Sequence, residues 1–214
     1  RELAKRILYQ PVEVNIAISK PNEKITQQAY FVYDEQKIPL ILHLLKEKKF
    51  KSVLIFCSSK LSVKQLTREM KRCGINADEI HSDLDQERRE EVLMHYKSGR
   101  LPVLVATDIL SRGIDIDNID LVINFDVPHD GEDYVHRIGR TARAAAEGSA
   151  YTLVGNKDQR KFFSIEKLIG NEVPRGLLPI ELGKGPEVKV LTDQSTKKRR
   201  SFKIKGKNPR GRNK

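Results

Sequence analysis

The chain has 214 residues and carries 40 Lys and Arg against 29 Asp and Glu, a formal net charge of +11. That length allows one buried core with some chain left over, and a hydrophobic content of 38% excludes a largely disordered protein. No apolar run approaches the roughly 18 residues of a membrane span, and two cysteines exclude a disulfide framework and a four-ligand zinc site. We therefore expect a cytoplasmic protein with no membrane segment and a polyanionic partner such as nucleic acid.

The first 22 residues do not share the pattern of the chain that follows. A short helical pattern is followed by Pro11 and an alternating strand, which we interpret as the end of a preceding unit and a linker. From residue 23 to 183, short apolar runs alternate with amphipathic stretches. The predicted strands are residues 28–32, 52–56, 77–80, 102–106, 121–125 and 150–154. The predicted helices are residues 36–47, 60–71, 86–97 and 159–169.

This alternation predicts an α/β fold. Several runs, such as residues 53–56 and 103–106, are continuously apolar, which is typical of strands buried on both faces. We expect an open parallel sheet with helices on both faces and ligand groups at the carboxyl ends of the strands. Ser58 or Ser59 is placed to cap the second helix, and Gly74 is placed to end it.

The positive charge is concentrated in residues 184–214. They hold 12 Lys and Arg against 2 Asp and Glu, which leaves the rest of the chain close to neutral. Gly and Pro separate the charges and Phe202 is the single aromatic residue, so the segment cannot bury enough apolar surface to fold alone. We predict a disordered basic tail that either only improves solubility or tethers RNA without base specificity.

Residues 134–143 carry the strongest chemical signal. In a continuous helix, His136, Arg140 and Arg143 would share one face, while Arg137 would point about 100° away. Guanidinium groups suit phosphate oxygens and the charge that develops in phosphoryl transfer. The alternative is a solvated basic helix face.

Two further segments follow predicted strands. In residues 106–115, Thr107 offers a hydroxyl, Gly113 allows close backbone approach and Asp115 could accept from a sugar hydroxyl, whereas Asp108 could equally be a helix N-cap. In residues 81–90, Asp85 is placed to cap a helix. Arg88 and Arg89 lie among glutamates there, which is typical of a surface ion-pair face.

Taken together, these segments resemble the C-terminal RecA-like domain of DEAD-box ATP-dependent RNA helicases. Residues 53–59 resemble motif IV, Gln86 and Arg89 the Gln-x-x-Arg motif, residues 106–115 motif V and residues 136–143 motif VI. The resemblance covers residues 1–183 and suggests the bacterial RhlE-like subgroup. It makes the early residues the end of an N-terminal RecA-like domain and its linker, residues 23–183 the C-terminal domain, and residues 184–214 the tail.

The resemblance implies half of an ATP site. Arg140 and Arg143 would be arginine fingers on the γ-phosphate, Gly113 would line the site and Asp115 would bind the ribose. His136 would couple the nucleotide to RNA. ATP with Mg²⁺ would be held mainly by the N-terminal RecA-like domain. The sequence contains no Gly-x-x-x-x-Gly-Lys-Ser/Thr phosphate loop and no DEAD motif, so we expect this chain alone to be inactive.

The resemblance also implies half of an RNA site. Thr107, Arg112 and Arg89 would contact the backbone of single-stranded RNA, with Ser58 or Ser59 nearby, so binding would tolerate sequence and short duplexes would be unwound. Ala142 and Ser82 depart from the family, which usually has Gly at both positions. The alternatives are a superfamily relative that acts on DNA and a non-catalytic RNA-binding module.

Overall fold

Short strands and helices alternate through most of the chain in the computed structural model, which describes residues 21–47, 49–108, 119–142 and 147–188. The strands are β1 (Ile25–Phe31), β2 (Val53–Cys57), β3 (Ala77–Ile80), β4 (Val103–Thr107), β5 (Leu121–Asn124) and β6 (Gly148–Val154). The helices are α1 (Asp34–Glu47), α2 (Lys60–Arg72), α3 (Gln86–Lys97), α4 (Gly131–Ile138) and α5 (Gln159–Ile169), followed by a short 3₁₀ turn at Ile180–Leu182.

The six strands of the described ranges run parallel in one sheet, in the order β1-β6-β5-β2-β4-β3. The central strands are apolar throughout, and every residue of β2 is buried. The register places Cys57 opposite Thr107 and Phe56 opposite Asn124, so β2, β4 and β5 end at the same edge. The prediction of a parallel sheet is confirmed.

Helices cover both faces of the sheet, as predicted. On one face, Leu40 and Ile41 of α1 and Leu66 of α2 pack against alternate residues of the central strands. On the other face, α3 packs through Val92 and Tyr96, while α4 and α5 pack beside it against β6 and β1. The alternation of side chains along each strand divides the core into these two layers.

Local signals place the helix ends where the sequence predicted them. The Ser59 side chain accepts a hydrogen bond from the Ser62 amide at 3.1 Å and caps α2, and Gly74 follows that helix with φ of 78°. Asp85 caps α3 by accepting from the Arg88 amide at 2.8 Å. β1 begins three residues earlier than predicted because it pairs with β6 from Ile25 onward.

The residues after the 3₁₀ turn still contact the domain. Gln36 Nε2 donates to the Lys184 carbonyl at 3.2 Å, and Gln159 Nε2 donates to the Glu187 carbonyl at 2.9 Å. Gly185 approaches the Phe31 carbonyl so closely that a Cβ there would lie 2.1 Å from the oxygen. The first residues of the predicted tail, 184–188, therefore pack on the domain, and the remainder lies outside the described residues.

Within the described ranges, no helix is long and apolar enough to cross a membrane. The two cysteines differ, because Cys57 is buried at the end of β2 and Cys73 is exposed. Burial raises the pKa of the Cys57 thiol well above its ordinary value, and the neighbouring Asp126 carboxylate adds to the effect.

Candidate functional site

Three of the predicted site residues lie along one edge of the sheet. Ser58 follows β2, Thr107 ends β4, and Arg89 lies in α3, which begins beyond the end of β3. Because β2, β4 and β3 are neighbours and end together, these residues line a common edge. This is the edge where open parallel sheets bind ligands.

Arg137 is the most buried charged group at this edge, with only 4% of its side chain exposed. Its Nε and Nη2 atoms donate to the two carboxylate oxygens of Asp108, each at 2.6 Å. Its Nη1 atom donates to Asn124 Oδ1 at 3.2 Å and to the Asp126 carbonyl at 3.0 Å, and the guanidinium lies over the Phe56 ring. One side chain of α4 thus holds the ends of β4 and β5 together.

We did not select Arg137 from the sequence, although a signal was present. Tyr134 and Ile138 are apolar and lie three residues before and one residue after it, and both are fully buried. In an amphipathic helix that spacing indicates the inward face. A charged residue on that face requires a partner of opposite charge, and Asp108, whose side chain is 29% exposed, supplies it. The N-cap alternative for Asp108 depends on residues 109–118, which lie outside the described part of the chain.

The continuous helix that would place His136 and Arg140 on one face does not form. α4 ends at Ile138, and the amides of Arg140 and Thr141 bond three residues back, to Arg137 and Ile138. The chain then leaves the helix because Thr141 pairs with Ile119, just before β5. His136 stays exposed on α4, Arg140 lies half-buried in the turn, and Arg143 lies outside the described residues.

The turn that carries Arg140 is fixed from three sides. The Thr141 hydroxyl donates to the Ile119 carbonyl, and the Ile119 amide bonds the Arg140 carbonyl at 3.4 Å. Gly148 allows close approach, since a Cβ there would meet Thr141 Oγ1 at 1.9 Å. Ala142 adopts a positive φ of 54°, which costs an alanine about 1–2 kcal/mol.

Asp126 organises the end of β2. Its Oδ2 atom accepts from the Ser58 amide at 2.8 Å and from the Ser58 hydroxyl at 2.9 Å. Its Oδ1 atom lies 3.6 Å from the Lys37 ammonium, which is 6% exposed and also lies 3.1 Å from Asp34 Oδ1. Ser58 is therefore held by Asp126, whereas the Ser59 hydroxyl is used in capping α2.

Arg88 and Arg89 have different roles. Arg88 pairs with Asp78 and Glu91, as a surface ion-pair face predicts. Arg89 Nη2 donates to the Ser82 carbonyl at 3.2 Å, and its buried Nε atom has no hydrogen-bond partner among the described residues. The Nη2 atom of Arg89 thus fastens the side chain to the loop before α3. Ser82 is exposed and has no positive φ, so its backbone carries no strain.

The loop before α3 is fastened to α2. Asp83 accepts from Lys60 Nζ at 2.8 Å and from Lys64 Nζ at 3.0 Å. These hydrogen bonds lower the pKa of Asp83 to about 2. These two ion pairs of Asp83 connect the loop that contains Ser82 to α2, which begins two residues after Ser58.

Arg112, Gly113 and Asp115 lie outside the described residues, so their predicted roles remain predictions. In the ranges that are described, no group of three or more His, Cys, Asp or Glu side chains could hold a metal ion.

The sequence and the fold match known proteins. The family model "Helicase conserved C-terminal domain" matches residues 36–145. The ATP-dependent RNA helicase DeaD of Buchnera aphidicola is 34% identical over 179 residues, covering 84% of this chain and 30% of that protein. The DEAD-box ATP-dependent RNA helicase 40 of Oryza sativa is 41% identical over 184 residues, covering 83% of this chain and 23% of that protein.

A solved structure shares the fold. Dbp5 of S. cerevisiae, bound to RNA and ADP BeF3, superposes with a TM-score of 0.70 at 28% identity, over 82% of this chain and 47% of that one. The chain belongs to the helicase conserved C-terminal domain family, and these relatives are DEAD-box proteins. It spans less than a third of the two curated relatives, 30% and 23%. Because they come from a bacterium and a plant, they do not confirm a bacterial RhlE-like subgroup.

Proposed function

We propose that this chain is the C-terminal RecA-like half of an ATP-dependent RNA helicase that unwinds short RNA duplexes. The observation that carries the proposal is the Arg137 network. It joins the end of β4, where Thr107 lies, to the helix whose next turn presents Arg140. A candidate RNA contact and a candidate nucleotide contact are therefore connected through one rigid group.

On the nucleotide side, Arg140 and Arg143 act as arginine fingers on the γ-phosphate, Gly113 lines the site and Asp115 binds the ribose. An arginine finger is worth about 10³–10⁵ in rate in related phosphoryl transfers. The turn around Thr141 supports this role because it fixes the backbone of Arg140. ATP with Mg²⁺ is held mainly by an N-terminal RecA-like domain of the same protein, and closing the two domains completes the site.

On the RNA side, Arg89, Thr107 and Arg112 contact the sugar–phosphate backbone, with Ser58 beside them and Ser59 at the start of α2. The position of Arg89 at this edge, where its Nη2 atom already donates to the Ser82 carbonyl, supports a phosphate contact by the same guanidinium. Backbone contacts carry no base information, so binding tolerates sequence. The RNA and nucleotide analogue present in the Dbp5 structure support the same two ligands here.

His136 couples the two sides. It is exposed on α4 and precedes Arg137, which holds the ends of β4 and β5. The basic residues beyond residue 188 tether RNA to the domain. We also assign the protein to the cytoplasm and to the RhlE-like subgroup of the family.

The test is ATP-dependent unwinding of a short RNA duplex by the protein with both RecA-like domains. Arg140→Ala should abolish unwinding and ATP hydrolysis while RNA binding persists. Arg160→Ala, which removes an exposed arginine of α5, is the matched control and should leave both activities unchanged.

Three results would contradict the proposal. Unwinding of DNA but not RNA duplexes would identify a superfamily relative that acts on DNA. RNA binding without ATP turnover in the two-domain protein would indicate a non-catalytic module. ATP hydrolysis by residues 1–214 alone, lost in Arg140→Ala, would show that this chain holds a complete site.

A further inference from the structure

Two large apolar side chains after α5 are almost fully exposed. Leu177 is 92% exposed and Ile180 is 96% exposed, more than any other large apolar side chain of the described residues. Their neighbours Leu178 and Leu182 pack against the core instead. Exposed apolar side chains that lie close together indicate an interaction surface.

A cavity of 390 Å³ lies beside these side chains. The side chains that line it are mostly apolar: Phe31, Leu177, Leu178, Pro186 and Val188. Arg175 also lines it, but its guanidinium is held by both carboxylate oxygens of Glu166, at 2.7 and 2.9 Å. The cavity is therefore suited to an aliphatic side chain of a partner.

The backbone around the cavity is fixed to the domain. Gln36 Nε2 donates to the Leu182 carbonyl at 2.7 Å and to the Lys184 carbonyl at 3.2 Å. The Gly176 amide donates to the Ala29 carbonyl of β1 at 3.0 Å. Because the surface is preformed, it loses little conformational entropy when a partner binds.

The charges on this surface have both signs. Glu181, Lys184 and Glu187 are exposed, and none of the three forms an ion pair within the described residues. The surface thus combines a protruding apolar side chain with an apolar cavity, and carboxylates with an ammonium group. Such a surface is complementary to a second copy of itself, because every contact in a two-fold dimer occurs twice with the roles exchanged.

We propose that a second copy of this chain docks on this surface and forms a two-fold dimer. Ile180 of each copy enters the cavity of the other copy and covers Leu177. Because Glu181 follows Ile180 and Lys184 lines the cavity, this insertion brings Glu181 of one copy close to Lys184 of the other. The inference concerns self-association and does not depend on the proposed function.

The dimer should be weak and should tighten with salt. Two exposed aliphatic side chains per copy cover less than the roughly 1,200 Å² that a stable interface buries, so we expect a dissociation constant on the order of 0.1 mM. The basic segment begins directly after Val188, which lines the cavity, so the two segments start close together and repel each other. Salt screens that repulsion, whereas it weakens the binding of RNA to basic residues.

Sedimentation velocity of the full 214-residue chain, from about 0.01 to 1 mM protein and about 0.1 to 1 M salt, measures the dissociation constant. Ile180→Glu and Leu177→Glu bring a charge to the apolar interface and should each raise that constant at least about tenfold. Both positions are exposed, so the fold should persist. Met94→Glu is the matched control, because it changes an exposed side chain of α3, which packs beside β3 at the opposite edge of the sheet.

An exchange of charges tests the two-fold arrangement. Glu181→Lys and Lys184→Glu each place like charges opposite one another and should weaken the dimer about three- to tenfold. Lys184→Glu also lowers the net positive charge, so general repulsion cannot explain a loss in that variant. Combining the two substitutions re-creates both ion pairs and should restore the wild-type dissociation constant.

A chain that stays monomeric up to about 1 mM at high salt would overturn the inference. A dimer that Ile180→Glu and Leu177→Glu leave intact would overturn it as well, because its interface would lie elsewhere. A double charge variant that associates no better than the single variants would contradict the two-fold arrangement. None of these results would alter the proposed helicase function, which the unwinding assay tests separately.

Discussion

Arg137 and Arg140 are three residues apart and have different environments. Arg137 lies inside α4, and its guanidinium holds Asp108, Asn124 and the Asp126 carbonyl. Arg140 follows the end of the helix, and its backbone is fixed against Ile119. Arg137 connects the ends of β4 and β5, whereas Arg140 lies in the turn that follows α4. Their difference comes from the helix end, which the residue types alone do not reveal.

At Ala142, backbone strain and methyl burial oppose each other. Replacing Ala142 by Gly should relieve about 1–2 kcal/mol of strain at φ of 54°. The variant loses about 0.8 kcal/mol from the buried methyl group and about 0.5–1 kcal/mol from the more flexible unfolded chain. We therefore expect the free energy of unfolding, measured with urea, to change by less than about 0.8 kcal/mol in either direction.

Ala150→Gly is the control for this prediction. Ala150 is also buried, but its φ is negative, so no strain offsets the two losses. The free energy of unfolding of the Ala150→Gly variant should fall by about 1–2 kcal/mol. Equal losses at the two positions would show that Ala142 carries no strain.

Asp83 should titrate far below an ordinary aspartate. Its pKa is lowered from 3.8 to about 2 by hydrogen bonds from Lys60 and Lys64. Because the folded value is the lower one, the stabilisation is present above pH 3.8 and is lost as the pH falls through about 2. Carbon NMR of the side-chain carboxyl should give a midpoint near 2, and Lys60→Ala should raise it.

Lys167→Ala is the control, because this exposed lysine of α5 does not pair with Asp83. A titration midpoint near pH 3.8 for the Asp83 carboxyl in the wild-type chain would contradict the ion pairs between this loop and α2.

At the scale of elements, α4 is shorter than a periodic pattern suggests. Tyr134 and Ile138 bury its inner face, and the chain must then reach Ile119 to form the bridge beside β5. Gly148 at the start of β6 leaves space for Thr141 there. The position of two neighbouring strands thus determines where the helix ends.

The Arg137 network should contribute much more stability than a similar surface pair. Arg137→Ala leaves the Asp108 carboxylate and the Asn124 amide oxygen without this donor, and we expect a loss of about 3–5 kcal/mol in urea unfolding. Arg88 also pairs with two carboxylates, but its side chain is 42% exposed. Arg88→Ala should therefore cost only about 0.2–1 kcal/mol. Similar losses in both variants would contradict the difference in burial as the cause.

At the scale of the whole molecule, the charge is divided between a nearly neutral domain and the basic segment beyond residue 188. That segment holds 11 of the 40 Lys and Arg residues and one Asp. Residues 184–188 belong with the domain because their carbonyls accept from Gln36 and Gln159. A deletion that removes the basic segment and leaves the domain intact should therefore start at residue 189.

Deleting residues 189–214 should weaken binding of single-stranded RNA and reduce its salt dependence. Each phosphate contact that is lost removes about 0.7 from the slope of log affinity against log salt concentration. Fluorescence anisotropy at several salt concentrations measures both quantities. Urea unfolding should be unchanged, because the residues that pack on the domain remain. An unchanged affinity at low salt would contradict the tether.

The sequence by itself determined the α/β class, the parallel sheet, the helices on both faces and the cap at Asp85, and it narrowed the cap of α2 to Ser58 or Ser59. These features depend on periodic burial and on hydrogen bonds within three residues, which are local in the chain. The resemblance also selected the segments that meet at the carboxyl edge, and the family match agrees with it. The assigned roles of the individual site residues remain predictions.

Only the tertiary structure decided the partners of the polar side chains. Arg137 meets Asp108 across 29 positions of sequence, and Ser58 meets Asp126 across 68. Such pairs follow from the strand order and from where α4 ends, and neither is written in a local pattern. The positive φ of Ala142 cannot be read from its residue type either. Burial periodicity is a property of short segments, whereas hydrogen-bond partners depend on which segments the sheet makes neighbours.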